Sequence, residues 1–282
     1  MGKVILIGGH VDKGSALSKR EKKELGPKKI RMVKPEILER FLREMKGKKS
    51  RVEIITSASE IPFAIGYEYR RALKALGCKD VGIMHFRKRR EVDEESMLER
   101  LAECDGVLFS GGSQVLLCGI LTRTEFLTTL KKRFRTERSF MVAGTSAGAM
   151  ALGKEMIAYG DTVTSFVKGD VEIKTGLGLI SNIIVDTHFV QRRRMGRLIE
   201  AIAMVPGKLG IGLSENTAVY FEKPGKVEVI GKNLVVLVDG SHITFNNIKT
   251  IKKNHHLCLE NVTLHILPKG HVFNILKRKI LI

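Results

Sequence analysis

The stretch S139-F-M-V-A-G-T-S-A-G-A-M-A-L152 sets one serine between small residues, where an apolar run gives way to a helical one. Residues 139–145 read as a buried strand and 147–152 as the start of a helix. A turn this tight leaves little room for side chains, so small residues at 144, 147 and 148 imply that backbone passes close by. Ser146 then stands exposed on a sharp strand-to-helix turn, and the order strand, turn, helix is the unit of an α/β fold.

The same unit recurs on both sides. KVILIGG (3–9) is an apolar strand closing on glycines, and KPEILERFLREMKG (34–47) carries apolar residues at 37, 38, 41, 42 and 45, the period of an amphipathic helix. RVEIITSAS (51–59), VGIMHF (81–86) and GVLFSGG (106–112) read as further strands. IGYEYRRALKALGC (65–78), EESMLERLAEC (94–104) and SQVLLCGILTRTEFLTTLKKRF (113–134) read as the helices between and after them. This alternation predicts an α/β fold with a doubly wound, mostly parallel sheet flanked by helices. From residue 216 short alternating segments take over, among them TAVYFE, KVEVIG, NLVVLVDG, HITFNNI and VTLHIL, which predict an antiparallel β-rich extension. One domain over 1–282 is expected, with a core over 1–215 and the β-rich part over 216–282.

Composition narrows the function. A hydrophobic content of 43% with 28% charged residues is that of a globular chain, and no apolar run reaches the length of a membrane span. The N-terminus lacks the long apolar region of a secretory signal, so a cytoplasmic protein is expected. Four scattered cysteines form no C-x-x-C pair, which argues against a zinc or redox motif. The net charge of +19 suggests nucleic acid, but the basic residues lie in separate runs mixed with acids, and Trp is absent. A solvated basic surface is the expectation, with neither a nucleic-acid nor a membrane partner.

Gly144-Thr145-Ser146-Ala147-Gly148 matches the G-x-S-x-G pattern of a nucleophile elbow in its proper strand-turn-helix setting. The Ala147 N–H is then placed to donate to an oxyanion, and Gly112, in LFSGGSQ (108–114), is the expected second donor from a neighbouring strand end. A serine nucleophile needs a base. Of eight histidines, His188 closes the apolar strand NIIVDTHF (182–189), at the sheet edge where Ser146 is expected. Asp161, between the two in sequence, is the expected orienting acid, with Asp186 and Glu215 as competitors. Only 42 residues separate Ser146 from His188, too few for the α/β-hydrolase arrangement.

These features resemble the serine-peptidase group containing dipeptidase E and cyanophycinase, peptidase family S51. The likeness is carried by LIGGHVDKG (6–14), LFSGGSQ (108–114), GTSAGA (144–149), DTHFVQRRRMGRLIEAI (186–202), GIGLSENTAV (210–219) and ENVTLHILPKGHVFNI (260–275). The resemblance implies a class I glutamine amidotransferase-like fold, with Ser146 as nucleophile, His188 as base and Asp161 where the dipeptidase carries its acid. Its cyanophycinase branch implies exopeptidase cleavage of cyanophycin, a poly-aspartate bearing arginine on each β-carboxylate, to β-aspartyl-arginine. Gln114, Asp186, Thr187, Arg192, Arg194 and Arg197 match substrate-pocket positions, and a homodimer is implied. Neither a metal nor an organic cofactor is expected. The chain departs from the family at Thr187, at Ser214, where an acid is usual, and at Ser113 and Val115-Leu116-Leu117. The alternatives are an aspartyl or isoaspartyl dipeptidase and a catalytically silent binding protein on the same fold.

Overall fold

Strand β1 (Lys3–Ile7) buries side chains on both of its faces: Val4 and Leu6 join one apolar cluster, Ile5 and Ile7 another. That is the pattern of a central strand covered on both sides. The computed structural model describes residues 1–14, 35–160, 166–223 and 225–281. After β1 come α1 (Glu36–Arg43), β2 (Arg51–Ile55), α2 (Pro62–Ala75), β3 (Asp80–Met84), α3 (Glu95–Glu103) and β4 (Gly106–Phe109). Then follow α4 (Gln114–Leu121), α5 (Glu125–Thr136), β5 (Met141–Thr145) and the single turn of helix α6 (Ala147–Ala151).

The helical region expected over 113–134 is two helices. Ser113 and Thr124 each accept a hydrogen bond at 3.2 Å from a backbone N–H three residues on, capping α4 and α5 separately, and Arg123 between them has φ 64°. Two local caps outweigh the continuous apolar period.

Beyond α6 lie β6 (Glu155–Gly160), β7 (Val171–Thr175), β8 (Ile183–Thr187), α7 (Met195–Met204), β9 (Leu209–Leu213), β10 (Thr217–Lys223), β11 (Lys226–Gly231) and β12 (Leu234–Asp239). The chain closes with β13 (Phe245–Asn246), β14 (Leu259–Glu260), β15 (Thr263–Pro268), β16 (Val272–Asn274) and β17 (Lys279–Leu281). In the main sheet β1, β5, β4, β2 and β3 are parallel, and β10, β11, β16 and β17 extend it from β1 in antiparallel fashion, in the order β17-β16-β11-β10-β1-β5-β4-β2-β3. The expected α/β class and antiparallel extension hold.

The difference lies in the number of sheets. Strand β8, which precedes His188, pairs in parallel with β9 in a second sheet ordered β15-β12-β9-β8, while β6 with β7 and β13 with β14 form hairpins. The β-rich tail is divided between both sheets. Apolar content marked β8 as a buried strand but carried no information on its partner, because strand pairing is decided by contacts distant in sequence.

The elbow between β5 and α6 is built on close backbone contact. A Cβ at Gly148 would lie 2.5 Å from the Phe109 carbonyl oxygen and 2.7 Å from that of Ser110, so α6 rests directly on the end of β4. Gly148→Ala is therefore expected to lower stability by about 1–3 kcal/mol, the usual cost of overpacking, as read by urea unfolding. An unchanged midpoint would show that α6 can move away from β4 freely.

Candidate active site

The elbow places its serine by backbone strain. Ser146 has φ 52° and ψ −120°, a conformation that costs a side-chain-bearing residue of order 1–3 kcal/mol and is characteristic of functional turns. Its N–H donates to the Ile7 carbonyl at 2.9 Å and its carbonyl accepts the Met150 N–H at 3.1 Å. The residue is partly exposed, whereas Ala147–Met150 behind it are buried.

His188 reaches the same point from the second sheet. It has φ 49°, its N–H donates to the Gly8 carbonyl at 2.8 Å, and its Nε2 lies 2.9 Å from Ser146 Oγ. On the far side of the ring, Nδ1 lies 2.7 Å from Glu215 Oε1. An ionised carboxylate only accepts, so Nδ1 carries the proton and Nε2 is left to accept from the serine hydroxyl. Serine, imidazole and carboxylate thus form one hydrogen-bonded chain, the geometry of a nucleophile, a base and the acid that orients it.

The acid follows from strand register. Strands β8 and β9 pair with Thr187 opposite Leu213, so the residues just past the two strand ends, His188–Phe189 and Ser214–Glu215, leave the sheet side by side. The Phe189 N–H donates to the Leu213 carbonyl at 3.1 Å, holding that alignment. Asp161, the acid expected from sequence order, lies outside the described residues. Glu215 was legible only as a competitor, since nothing in the sequence states that β9 runs beside β8.

Burial and charge act on His188 in opposite directions. Burial, the largest influence, holds the imidazole below the usual histidine value, helped by Arg192 and Arg194, while the Glu215 carboxylate pulls it back up. The outcome is a neutral ring at physiological pH, the form in which Nε2 accepts a proton.

The other expected site residues fall into two groups. Asp186 is fully buried and receives Arg194 Nη1 at 3.1 Å and Arg197 Nε at 2.9 Å, with a second Arg197 contact through Nη2. Arg194 Nη1 also donates to the Thr187 carbonyl at 2.8 Å, and Arg197 Nη1 to the Gly160 carbonyl at 3.2 Å. Burial brings the Arg194 guanidinium down to about 10. Thr187 directs its buried hydroxyl at Met150 Sδ, 3.4 Å away. The Gln114 side-chain amide donates to the Ile157 and Ala158 carbonyls at 2.9 and 2.8 Å, tying α4 to β6. These five residues brace the elements around the site, and of the six expected pocket residues Arg192 is the exposed one. Gly112 lies in the exposed turn after β4; a Cβ on the adjacent Gly111 would be 3.7 Å from Ser146 Oγ, so this turn flanks the serine.

A model of peptidase family S51 matches residues 31–229. The chain belongs to that family. It is 39% identical over 246 residues to a cyanophycinase of Trichormus variabilis, a match covering 87% of this chain and 82% of the relative. A cyanophycinase of Geminocystis herdmanii is 36% identical over 239 residues, covering 85% of this chain and 88% of its own. Among solved structures, a peptidase from an acI-B1 Actinobacterium superposes with a TM-score of 0.63 at 20% identity over 97% of this chain and 96% of the other. A putative peptidase E from Listeria monocytogenes gives a TM-score of 0.51 at 18% identity, over 82% and 98%. These likenesses establish the fold, and family membership makes the protein a serine-peptidase hydrolase. Among the described residues, no helix is long and apolar enough to cross a membrane.

The glycine pair that ends the first apolar strand gives the His188 ring its space. Gly9 has φ 102°, and a Cβ there would lie 2.5 Å from His188 Nε2. Gly9→Ala in the peptidase is expected to push the ring off Ser146 and to slow phosphonate labelling of Ser146 by about 100-fold, the scale of an ångström-sized misplacement. Labelling at the parent rate would mean that the ring is held by contacts other than this close approach.

Proposed function

We propose that the peptidase is an exopeptidase that releases β-aspartyl-arginine from cyanophycin through a Ser146–His188–Glu215 triad. The observation that carries the mechanism is the continuous hydrogen-bond chain from Ser146 Oγ through both nitrogens of His188 to Glu215 Oε1, at 2.9 and 2.7 Å. The substrate rests on the curated relatives, named as cyanophycinases.

In this reading His188 Nε2 takes the hydroxyl proton as Ser146 Oγ bonds to the scissile carbonyl carbon. The N–H groups of Gly112 and Ala147 receive the oxyanion, each such donor being worth about 10²–10³ in turnover. Collapse of the tetrahedral intermediate breaks the C–N bond, and His188 gives its proton to the leaving amine. A water then attacks the ester, delivering one proton to His188 and, as the ester breaks, regenerating the Ser146 hydroxyl. Glu215 holds the ring in the tautomer with the proton on Nδ1 and stabilises the imidazolium that forms twice per cycle.

Arg192 is the residue we assign to the substrate's carboxylates. It is exposed four residues beyond the base, and its planar fork suits a two-oxygen acceptor. Asp186, Thr187, Arg194 and Arg197 act as positioning residues: two guanidiniums on one buried carboxylate fix the end of β8 and so the departure of His188.

Ser146→Ala should release no β-aspartyl-arginine from cyanophycin, followed by mass spectrometry, while the parent does. Cleavage by both proteins would sink the serine mechanism, and cleavage of aspartyl or isoaspartyl dipeptides alone would redirect the substrate. The pH profile tests the triad separately. Because the base is held below the ordinary histidine value of about 6.5, the midpoint of the acid limb of kcat/KM should lie below that pH. Glu215→Gln removes the group that raises the imidazole, so its acid limb should move to still lower pH while kcat drops by about 10²–10⁴. An acid limb that moves upward would contradict the assignment of Glu215.

A further inference from the structure

His10 lies just past the end of β1 and has no part in the mechanism above. Its imidazole is 71% exposed, and its Nε2 lies 3.4 Å from Glu215 Oε1, the oxygen that also meets His188 Nδ1. The two imidazole rings stand edge to face, with centroids 5.3 Å apart and planes at 82°. One ligand atom from each of His10, His188 and Glu215 falls within 4.8 Å of the others. His10 itself is held in a left-handed conformation, φ 42°, between Gly9, whose carbonyl is fixed by the Asn216 N–H at 2.8 Å, and Val11, which is buried.

We propose that His10, His188 and Glu215 form an inhibitory zinc site that closes over the triad. Two imidazoles and a carboxylate are a donor set suited to zinc, with a fourth position left to water. Bonds of 2.0–2.2 Å in tetrahedral array place ligand atoms about 3.4 Å apart. The His10 Nε2 to Glu215 Oε1 separation already has that value, and an ion arriving from solvent meets the exposed His10 first. What must change is the 2.7 Å contact between His188 Nδ1 and Glu215, which opens as the ion takes the place of the proton between them.

The chemical consequence follows from the imidazole ring. With Nδ1 bonded to zinc through its lone pair, the single proton of the neutral ring, which Nδ1 had held, is exchanged through solvent onto Nε2. That nitrogen can no longer accept from Ser146 Oγ. The ion also occupies the carboxylate that otherwise stabilises the imidazolium. Zinc is therefore an inhibitor here and has no role in turnover. The inhibition, though not the binding, rests on the proposed triad.

The test uses the full-length protein freed of metal by a chelator and titrated with zinc chloride against a chromogenic zinc indicator. Ser146→Ala, which keeps all three ligands, should bind one zinc ion with parent affinity. His10→Ala in either background should weaken that site at least tenfold, and without added zinc its peptidase activity should match the parent. Zinc should inhibit the parent, with an inhibition constant that tracks the indicator affinity, and inhibit His10→Ala at least tenfold less. Undiminished zinc affinity in His10→Ala overturns the site, as does inhibition that persists in that variant and so arises elsewhere, for example at the exposed Cys258. His10-dependent zinc binding in a protein that cleaves neither cyanophycin nor dipeptides would leave the site standing and remove the proposed function instead.

Discussion

Three consecutive carbonyls at the end of β1 hold the site together. Ile7 accepts the Ser146 N–H at 2.9 Å, Gly8 the His188 N–H at 2.8 Å and Gly9 the Asn216 N–H at 2.8 Å, so each turn that bears a member of the Ser146–His188–Glu215 chain is pinned to a neighbouring residue of one strand end. Side chains on three separate segments acquire hydrogen-bond geometry because their backbones share one support. The support has to be glycine-rich, since the same carbonyls are approached so closely that the ring of His188 fills the space a side chain on Gly9 would need.

The arrangement also explains why two sheets are needed. Within the main sheet, β1 and β5 pair with Ile7 opposite Thr145, which brings the serine turn beside Gly8. No parallel strand is available on the other side of β1, because β10 occupies it in antiparallel sense. His188 and Glu215 follow β8 and β9 of the second sheet, and the turn through Glu215 and Asn216 carries the chain from β9 directly into β10. Glu215 therefore sits on the covalent link between the sheets. Backbone strain collects at this junction: His10, Ser146, His188 and Asn216 all have positive φ. Four such residues persist only where the surrounding contacts over-determine them.

What was legible in the sequence divides along the same line. The order of the parallel strands' helices, the elbow at 144–148 and the choice of His188 among eight histidines rest on local signals, namely apolar period, small residues and a polar group at a strand end. The second sheet, the pairing of β8 with β9 and the meeting of His188 with Glu215 are contacts between segments separated in sequence, and no local pattern encodes them. From sequence, Asp161 is expected on its order in the chain and Glu215 is only a competitor, because no strand is read over 209–213 that would set Glu215 just past a strand end. The two-helix break at Arg123 was local, but its signal was a pair of hydroxyl caps within a dominant apolar run.

Charge is arranged around the base in a way that composition conceals. Arg194 and Arg197 belong to one of the most basic stretches of the chain, yet both fold onto the buried Asp186, where they fix the strand end and leave little charge for solvent. A buried carboxylate with two guanidiniums still leaves one positive charge in excess close to His188, and Arg192 adds another, so the surroundings disfavour an imidazolium. Glu215 opposes this, by hydrogen bond and by charge together. The ring therefore rests neutral, and an imidazolium at this place would depend on Glu215 for its support. A cation that takes up the Glu215 carboxylate acts on His188 as directly as a change to the ring itself.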